Sequence, residues 1–544
     1  MHYHRIRFQA HIFATLMIVA LILARGSASA STFTVNSTND ADDGTCDEMH
    51  CSMREAINAA NLNTGPDTIG FKIPATLDPG CLGVSGVCVI RPLSELPALT
   101  DNDTTIDGYT QNGSAPAAGV TPATLRIVLD GSSAPAGTNG LKIEDASLNL
   151  IKGLVIGGFE YGIEISGSPA TGNAIEGCYL GTDYTGSTPF PNSQVGIEIH
   201  SGAQSNNIGG DTDAARNVIS GNGHSGIEIS GPISNGNRVI GNYIGTDSTG
   251  LADVGNQSDG VRLLTSQMNT EIGGDTPGER NVISGNGAAG VRLFGVNILG
   301  TVISGNYIGV DRTGTSVLAN DGYGIFMLYG PQATIIGGDT PVERNIISGN
   351  QFGGVVLHGT ATTGNTIKGN FIGTGYDGLI PLSNGGDGVQ VTDNAIDNTI
   401  GPANVIWYNA GDGVSVESAY HVTITENSIY LNEELGIHLV GSANDGLPAP
   451  TITQTAVGSL YVEGIGAPPN ATVELFSSPN SDGEGKTYLG STTADISGVW
   501  SLIVACSADP FLTATVTDLP GNTSEFSLPF SSTVHCRFLP LIAR

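Results

Sequence analysis

Basic and aromatic residues are scarce in this chain. Lysine and arginine number 20 against 51 aspartates and glutamates, which gives a formal net charge of −31, and aromatic residues make up 6% of the sequence. A surface this acidic repels phosphate backbones and anionic lipids, which argues against nucleic acid and anionic membranes as partners. It is compatible with cations, above all Ca²⁺ outside the cell.

Long apolar runs are missing beyond the N-terminus. There, Arg5 and Arg7 precede an apolar run over residues 12–24, and Ala28-Ser29-Ala30 then matches a cleavage site. This order predicts a signal peptide over residues 1–30 and a secreted or cell-surface protein. No later stretch approaches the ~20 apolar residues that cross a bilayer, so we expect no transmembrane segment in the mature protein.

Cysteine is also rare. Only seven cysteines are present, and six of them can be paired locally. Such pairs predict disulfides in an oxidising compartment. At the first pair, a zinc site made by Cys46, His50 and Cys51 is the alternative, although it lacks a fourth ligand. The predicted disulfides are Cys46–Cys51, Cys81–Cys88 and Cys506–Cys536.

Glycine, in contrast, is abundant and regularly spaced. The segment RNVISGNG begins at Arg216 and again at Arg280, and RNIISGNQ begins at Arg344, always 64 residues apart. A shorter word, Gly-apolar-x-apolar, recurs at steps that alternate between 34 and 30 residues through the middle of the chain. Its eleven copies begin at Gly140, Gly162, Gly196, Gly226, Gly260, Gly290, Gly324, Gly354, Gly388, Gly413 and Gly436.

Each 30- or 34-residue turn contains three short apolar words separated by Gly, Asn, Asp and Ser, which are turn-forming residues. Strands of three to five residues are too short for the blades of a β-propeller, so the repeat favours a parallel solenoid. Asparagines such as Asn217, Asn281 and Asn345 recur at matching corners, where stacked amides can form hydrogen-bonded ladders. Cys178 takes the place of a later corner asparagine, Asn242.

Two segments resemble known families. CDEMHCSMREAINAANLNTGPDTIGFKIP (residues 46–74) resembles the CSLREA segment that opens many secreted bacterial β-helix proteins, with Met53 in place of the usual leucine. The glycine repeats resemble right-handed parallel β-helix repeats of the pectate-lyase-like type. Together the two resemblances cover about residues 31–447. They imply the fold rather than an activity, because this architecture carries lyases, hydrolases, adhesins and inert stalks.

The residues of the first segment predict a helix independently. Ser52 and Glu55 form an S-x-x-E capping box. A helical stripe of apolar residues follows, so we expect an amphipathic helix that covers the exposed end of the solenoid. The stripe consists of Met53, Ala56, Ile57 and Ala60.

The C-terminal region changes character. After a linker at residues 444–450, residues 450–530 alternate polar and apolar positions and resemble a bacterial Ig-like β-sandwich, with Trp500 in its core. The predicted fold is therefore an all-β right-handed parallel β-helix with an N-terminal capping helix, followed by a small sandwich. The predicted divisions are residues 1–30 (signal peptide), 31–110 (cap and first coils), 111–447 (β-helix), 450–530 (sandwich) and 531–544 (tail).

The third residue of each glycine word should point outward, because its two neighbours point into the coil. These outward residues should form one column with a spacing of ~4.8 Å, and we expect the loops such as 182–194 to wall a groove beside it. In chain order the column is Lys142, Glu164, Glu198, Glu228, Arg262, Arg292, Phe326, Val356, Gln390, Ser415 and His438.

Three stacked glutamates repel one another, so Glu164, Glu198 and Glu228 should splay apart, share a proton or bind a cation such as Ca²⁺. The predicted ligand-binding residues are these three with Arg262, Arg292 and Phe326.

The resulting hypothesis is an exported scaffold or adhesin that binds extracellular polysaccharide or Ca²⁺ along this face. The alternative is a polysaccharide lyase or a glycoside hydrolase that uses Glu198, Glu228 and Arg262. The resemblance to pectate lyases implies Ca²⁺ held by carboxylates and an arginine base. A glycosidase would instead pair two carboxylates, and alternate rungs such as Glu164 and Glu228, ~9.6 Å apart, lie near the spacing of inverting enzymes.

Overall fold

The structure, a computed structural model, describes residues 30–83, 85–455, 461–504 and 509–531. Residues 1–29 of the predicted signal peptide, both cysteines of the pair Cys506–Cys536 and residues 532–544 of the tail lie outside these ranges. Within them, none of the helices has the length and apolar character needed to span a membrane.

The chain winds through three long sheets, and each coil between Leu141 and Tyr430 contributes one short strand to each sheet. The strands of these three sheets are parallel, except for one antiparallel pairing at the start of sheet 3, between Cys81–Leu82 and Val87–Ile90. The predicted right-handed parallel β-helix is confirmed.

Sheet 1 has 13 strands, which are Ser31–Val35, Asp67–Phe71, Thr104–Asp107, Leu150–Lys152, Ala174–Glu176, Asn207–Gly209, Arg238–Ile240, Glu271–Gly273, Val302–Ser304, Ile335–Gly337, Thr366–Lys368, Thr399–Ile400 and Thr423–Ile424. Sheet 2 has 11 strands, which are Leu141–Glu144, Ile163–Ser166, Ile197–His200, Ile227–Ile229, Val261–Leu264, Val291–Phe294, Ile325–Leu328, Val355–His358, Val389–Thr392, Val414–Glu417 and Ile437–Val440. Sheet 3 has 13 strands, which are Cys81–Leu82, Val87–Ile90, Ile127–Asp130, Leu154–Gly157, Tyr179–Leu180, Val218–Ile219, Tyr243–Ile244, Val282–Ile283, Tyr307–Ile308, Ile346–Ile347, Phe371–Ile372, Val405–Trp407 and Ser428–Tyr430.

Each glycine word begins a strand of sheet 2, and the glycine is required by the close stacking of the coils. At Gly226, an added Cβ would lie 2.8 Å from the carbonyl oxygen of Gly260 and 2.9 Å from the amide nitrogen of Asn256. The apolar residues that follow, such as Ile227 and Ile229, are fully buried in a continuous core. The repeat therefore fixes where each strand starts and which side chains face inward.

Ladders of buried asparagines connect the corners of successive coils. The side chain of Asn281 donates to Val239 O of the preceding coil (2.7 Å) and to Asn306 Oδ1 of the following coil (2.9 Å). Its own Oδ1 accepts the backbone N–H of Asn242 at 2.9 Å. The ladder continues from Asn217 to Asn427, so the predicted amide stacking is confirmed.

Cys178 occupies the rung before Asn217, as predicted, and its N–H donates to Asn217 Oδ1 at 2.9 Å. Burial raises the pKa of this thiol to about 12, which disfavours the thiolate form that a nucleophilic cysteine needs.

The arginine that opens the repeated segment stacks on an aromatic ring of sheet 3. Arg280 lies 4.3 Å from the ring centroid of Tyr307, and equivalent pairs follow at Arg216–Tyr243 and Arg344–Phe371. Cation–π contacts of this kind are favourable by roughly 0.5–2 kcal/mol each. The repeat thus encodes a polar and aromatic outer layer as well as the core.

The long loops cover sheet 3 and do not wall a groove beside the outward column of sheet 2, so that prediction is wrong. Gly186 in the first loop lies against the ring of Tyr179, and its carbonyl accepts the N–H of Ser248 from the next long loop at 2.8 Å. The loops stack over the aromatic rings because that position buries apolar surface which sheet 3 would otherwise expose.

The predicted N-terminal helix spans Met53–Leu62, and its capping box between Ser52 and Glu55 is confirmed. Its four apolar stripe residues are buried in the β-helix core, which they close at this end. Two disulfides, Cys46–Cys51 and Cys81–Cys88, lie in this cap. A zinc site that uses Cys46 and Cys51 as thiolates is therefore wrong, because their sulfur atoms are bonded to each other. Short 3₁₀ turns elsewhere are Gly108–Thr110, Gly131–Ser133, Asp213–Ala215, Pro277–Glu279 and Ala443–Gly446.

Two small antiparallel sheets follow the β-helix, and Trp500 is buried between them as predicted. Their assignment to the Ig-like family stays a prediction. One sheet contains Thr451–Thr455, Tyr461–Ile465 and Trp500–Ile503, and the other contains Thr487–Thr493, Thr472–Ser478, Phe511–Thr517 and Phe530–Ser531.

Carboxylates from this C-terminal unit bind the last coil of the β-helix. Glu484 accepts hydrogen bonds from the N–H of Leu431 (2.5 Å) and from the backbone and side chain of Asn432. Glu474 accepts the N–H of Glu426 at 3.0 Å, and Glu525 accepts that of Leu439 at 3.0 Å. These N–H groups would pair with a further coil if one were present, so the unit closes this end of the β-helix.

The ladder predicts a large stability effect for one buried amide. Asn281→Ala leaves the N–H of Asn242 and the carbonyl of Val239 without their partners, and we expect it to lower the free energy of unfolding by about 3 kcal/mol. Urea unfolding measures the change. The exposed Asn112 provides a control, because Asn112→Ala should stay within about 0.5 kcal/mol of the wild type. Equal effects of the two substitutions would contradict the ladder.

Candidate functional site

The outward residues of sheet 2 form one column along the β-helix axis. Backbone pairing places Glu164 between Lys142 and Glu198, and Glu228 between Glu198 and Arg262. The remaining members follow in the predicted order, which is Arg292, Phe326, Val356, Gln390, Ser415 and His438. Adjacent strands in such a sheet are ~4.8 Å apart, so each side chain lies next to its neighbours in the column.

Glu164 is the glutamate of the three whose pKa is lowered. Its Oε1 lies 2.9 Å from His200 Nε2 and 3.6 Å from Lys142 Nζ, and its Oε2 accepts a hydrogen bond of 2.5 Å from Asn139. Burial acts to raise its pKa, but the hydrogen bond from His200 and the charge of Lys142 hold that pKa below its ordinary value. The same contact with Glu164 raises the pKa of His200.

Glu198 is the protonated member. This residue is 8% exposed, and Ser230 donates a hydrogen bond of 3.0 Å to its Oε1. Burial, followed by the nearby charge of Glu228, raises the pKa of Glu198 to about 8. The stacked glutamates could splay apart, share a proton or bind a cation, and the raised pKa of Glu198 favours a proton on this central residue.

Glu228 stands at the junction with the arginines. Its Oε2 lies 3.6 Å from Arg262 Nη1 and 3.9 Å from His224 Nδ1. Burial raises its pKa, and the charge of Arg262 opposes that shift. The Nε of Arg262 is buried and makes no hydrogen bond within the described residues. It lies 4.0 Å from Asp259 Oδ2, so the guanidinium stands between the carboxylates of Glu228 and Asp259.

Four further residues belong to the cluster although the sequence reasoning missed them. They are Tyr161, His200, His224 and Asp259. Asp259 is 1% exposed and binds Arg292, with Nε 2.8 Å from Oδ2. His200 could have been found, because it lies two residues after Glu198 and residues two apart share a face of a strand. Asp259 lies in the turn before its strand, where alternation gives no signal.

Aromatic residues continue the same face beyond the charged cluster. The ring of Tyr323 lies 4.9 Å from that of Phe326 and 5.6 Å from that of Phe352. The guanidinium of Arg292 lies 5.3 Å from the centroid of Phe326, which joins the two groups. An open pocket of about 300 Å³ follows, lined by Tyr323, Phe352, Gly353, Val356, Gly385, Gly386, Asp387 and Gln390.

The predicted Ca²⁺ site at Glu164, Glu198 and Glu228 is not preformed. In the part of the chain that the structure describes, these three do not form a set whose ligand atoms all lie within 4.8 Å of one another. The raised pKa of Glu198 means that Ca²⁺ would have to displace a proton from this carboxyl group to bind it. Binding of Ca²⁺ by these residues stays a prediction.

Comparisons with known proteins show likeness in the β-helix region. The family described as "Periplasmic copper-binding protein (NosD)" matches residues 268–447. A search of curated proteins finds no match.

Among solved structures, the chain is similar to the A-module of the Azotobacter vinelandii mannuronan C-5 epimerase AlgE4, with 15% identity and a TM-score of 0.41; the match covers 74% of this chain and 98% of that chain. It is also similar to an alginate lyase from Paenibacillus sp. str. FPU-7, with 12% identity, 74% and 99% coverage and a TM-score of 0.25. The enzymatically active domain of tailspike protein 2 from bacteriophage CBA120 matches at 12% identity, with 92% and 77% coverage and a TM-score of 0.27.

The protonation of Glu198 predicts a pH dependence of stability. Its pKa in the folded protein is about 8, against 4.5 for an ordinary glutamate, so the folded state loses stability as the pH rises from about 5 to about 9. Glu198→Gln, which cannot ionise, should reduce this loss. The measurement is the free energy of unfolding in urea across that range, with the exposed Glu433 changed to Gln as a control that should leave the wild-type slope intact. An unchanged slope in Glu198→Gln would refute the assignment.

Proposed function

We propose that this protein is an exported β-helix scaffold that binds an extended polysaccharide along the outward face of sheet 2. The supporting observation is that a charged cluster, an aromatic group and an open pocket occupy consecutive rungs of one column. From Glu164 to Gln390 the column crosses seven strand spacings, or roughly 34 Å. That length suits a chain of several sugar units rather than a single small molecule.

The chemistry of the face suits a carbohydrate. Sugars present hydroxyl groups that need both donors and acceptors, and apolar ring faces that pack on aromatic side chains. The partly exposed guanidinium of Arg262 supplies donors, the carboxylates of Glu164 and Glu228 supply acceptors, and the rings of Tyr323 and Phe352 border the pocket. A few convergent polar groups beside aromatic walls are typical of ligand-binding sites.

Binding is tested by retention of the mature protein on a panel of immobilised neutral and acidic polysaccharides, with and without Ca²⁺. We expect Phe352→Ala to weaken retention about tenfold, which corresponds to about 1.4 kcal/mol. Tyr376→Ala is the matched control, because Phe352 and Tyr376 are both 54% exposed but Tyr376 belongs to a long loop over sheet 3. Equal losses in the two variants would place binding elsewhere, and no retention on any polysaccharide would leave only the scaffold role.

A second candidate is cleavage of the bound glycan, and the observation that favours it is the unequal protonation of neighbouring carboxyl groups. Glu198 is a neutral acid at pH 7, and Glu164 beside it is a carboxylate. Pairs of carboxyl groups whose pKa values are pushed apart are the arrangement that glycoside hydrolysis needs. In this reaction Glu198 would protonate the glycosidic oxygen as the C–O bond breaks, while a carboxylate attacks the sugar carbon or activates the water that adds to it.

Product formation separates this candidate from binding alone. If the protein is a hydrolase, new reducing ends without unsaturated products should accumulate, and Glu198→Gln should reduce the rate by at least about 100-fold. Glu176→Gln is the control, because burial also raises the pKa of Glu176 but this residue lies on sheet 1. Unsaturated products would instead indicate a lyase and direct attention to Arg262. If the protein is retained but forms neither kind of product, it does not cleave the polysaccharides tested, and the second candidate is rejected for them.

A further inference from the structure

The N-terminal cap contains a cluster of potential metal ligands that is separate from the sheet 2 column. Asp43, His50 and Glu55 each offer one ligand atom, and these atoms all lie within 4.8 Å of one another. His50 Nδ1 is 3.0 Å from Glu55 Oε2 and 3.7 Å from Asp43 Oδ2. Ligands bound to one tetrahedral ion at about 2.0 Å are roughly 3.3 Å apart, so the two measured distances bracket that value.

The hydrogen bonds around His50 show which of its two ring nitrogen atoms carries the proton. The other nitrogen then has a free lone pair. Asn39 Oδ1 accepts the backbone N–H of Ala41 at 3.0 Å, which identifies it as the oxygen of the amide. The same oxygen lies 3.0 Å from His50 Nε2, so Nε2 must carry the proton that it donates. In the neutral imidazole, Nδ1 is therefore the acceptor nitrogen.

This arrangement places an imidazole lone pair against two carboxylate oxygens. His50 Nδ1 is buried and makes no hydrogen bond within the described residues. Glu55 is 2% exposed, and its two oxygens already accept the N–H groups of Asp43 and Ser52. Electron-rich atoms held this close repel one another unless a positive charge lies between them, and either a proton on Nδ1 or a metal ion supplies that charge.

We propose that Asp43, His50 and Glu55 bind a divalent first-row transition metal ion of the Zn²⁺ type. One imidazole and two carboxylates form a donor set for zinc, whereas Ca²⁺ prefers oxygen ligands alone. The Nε2 hydrogen bond to Asn39 orients the ring as an outer partner does for metal-binding histidines. The Cys46–Cys51 disulfide closes the short loop that ends next to His50, which holds the ligands in place before the ion binds.

The position of the site gives it a structural role. Glu55 is the capping-box residue of the helix that closes the β-helix core, and Asp43 belongs to the preceding loop. An ion shared by these residues would fasten the loop to the helix. His50 also lines an open depression of about 900 Å³, which gives the ion a path from solvent.

The test uses the mature, untagged protein. The protein is stripped with a chelator, given a small excess of Zn²⁺ at neutral pH, desalted and assayed for zinc per chain and for Tm. We expect one zinc ion per chain and a higher Tm, and we expect His50→Ala to lower the zinc affinity by at least about tenfold. An equal concentration of Ca²⁺ should not displace the ion.

His421→Ala is the matched control, because His421 also contacts a carboxylate, that of Asp397 at 2.9 Å, but forms no ion pair with a second acidic residue in the described parts of the chain. It should retain the zinc. Asp43→Asn is a second variant in case His50→Ala disturbs the cap, and it should also lose affinity. Absence of zinc from the wild type, or equal zinc in the wild type and His50→Ala, would overturn the proposal and leave a proton on Nδ1 as the balancing charge.

Discussion

The structure depends on the requirement that buried polar groups at the corners of each coil find partners in the next coil. A turn that enters the core brings N–H and C=O groups with it, and these cannot be left unpaired. Asparagine solves this because its amide can donate to one coil and accept from another, as Asn281 does between Val239, Asn242 and Asn306. Some of these amides also bond within their own coil, as Asn242 does to Ile240 O, but the ladder is completed by bonds between coils. This is why the corner residues repeat and why a single coil has no stability alone.

The same requirement explains the two different ends. At the N-terminal end, the helix Met53–Leu62 covers the apolar core. At the other end, the last coil exposes N–H groups, and these need acceptors rather than apolar cover. Glu484, Glu474 and Glu525 supply them, although burial raises the pKa of Glu484 to about 7 and thus opposes its ionisation. The C-terminal unit is therefore coupled to the β-helix by its polar contacts, and its loss would leave the N–H groups of Leu431, Glu426 and Leu439 without these acceptors.

Most of the fold could be predicted from the sequence because stacking imposes a strict period. The glycine words located every strand of sheet 2, and the outward column came out in the predicted order. The site was only partly predictable. Alternation along a strand identifies Glu198 but says nothing about Asp259, which reaches Arg292 from a turn. The position of the long loops was predicted wrongly. The sequence shows that these loops are long, but it does not show that they pack on the aromatic rings of sheet 3 rather than beside sheet 2.

The outward column is the part of the repeat that stacking leaves free, and its composition is therefore informative. Inward positions hold Ile, Val or Leu in almost every coil, and corner positions hold Asn, because packing and hydrogen bonding decide them. A column under structural constraint alone would be expected to avoid like charges ~4.8 Å apart. Instead Glu164, Glu198 and Glu228 are adjacent, and the cost appears as a protonated Glu198. Since a strained or costly arrangement persists where the surrounding structure enforces it and where it has a use, the charged rungs of sheet 2 are the place to look for a ligand.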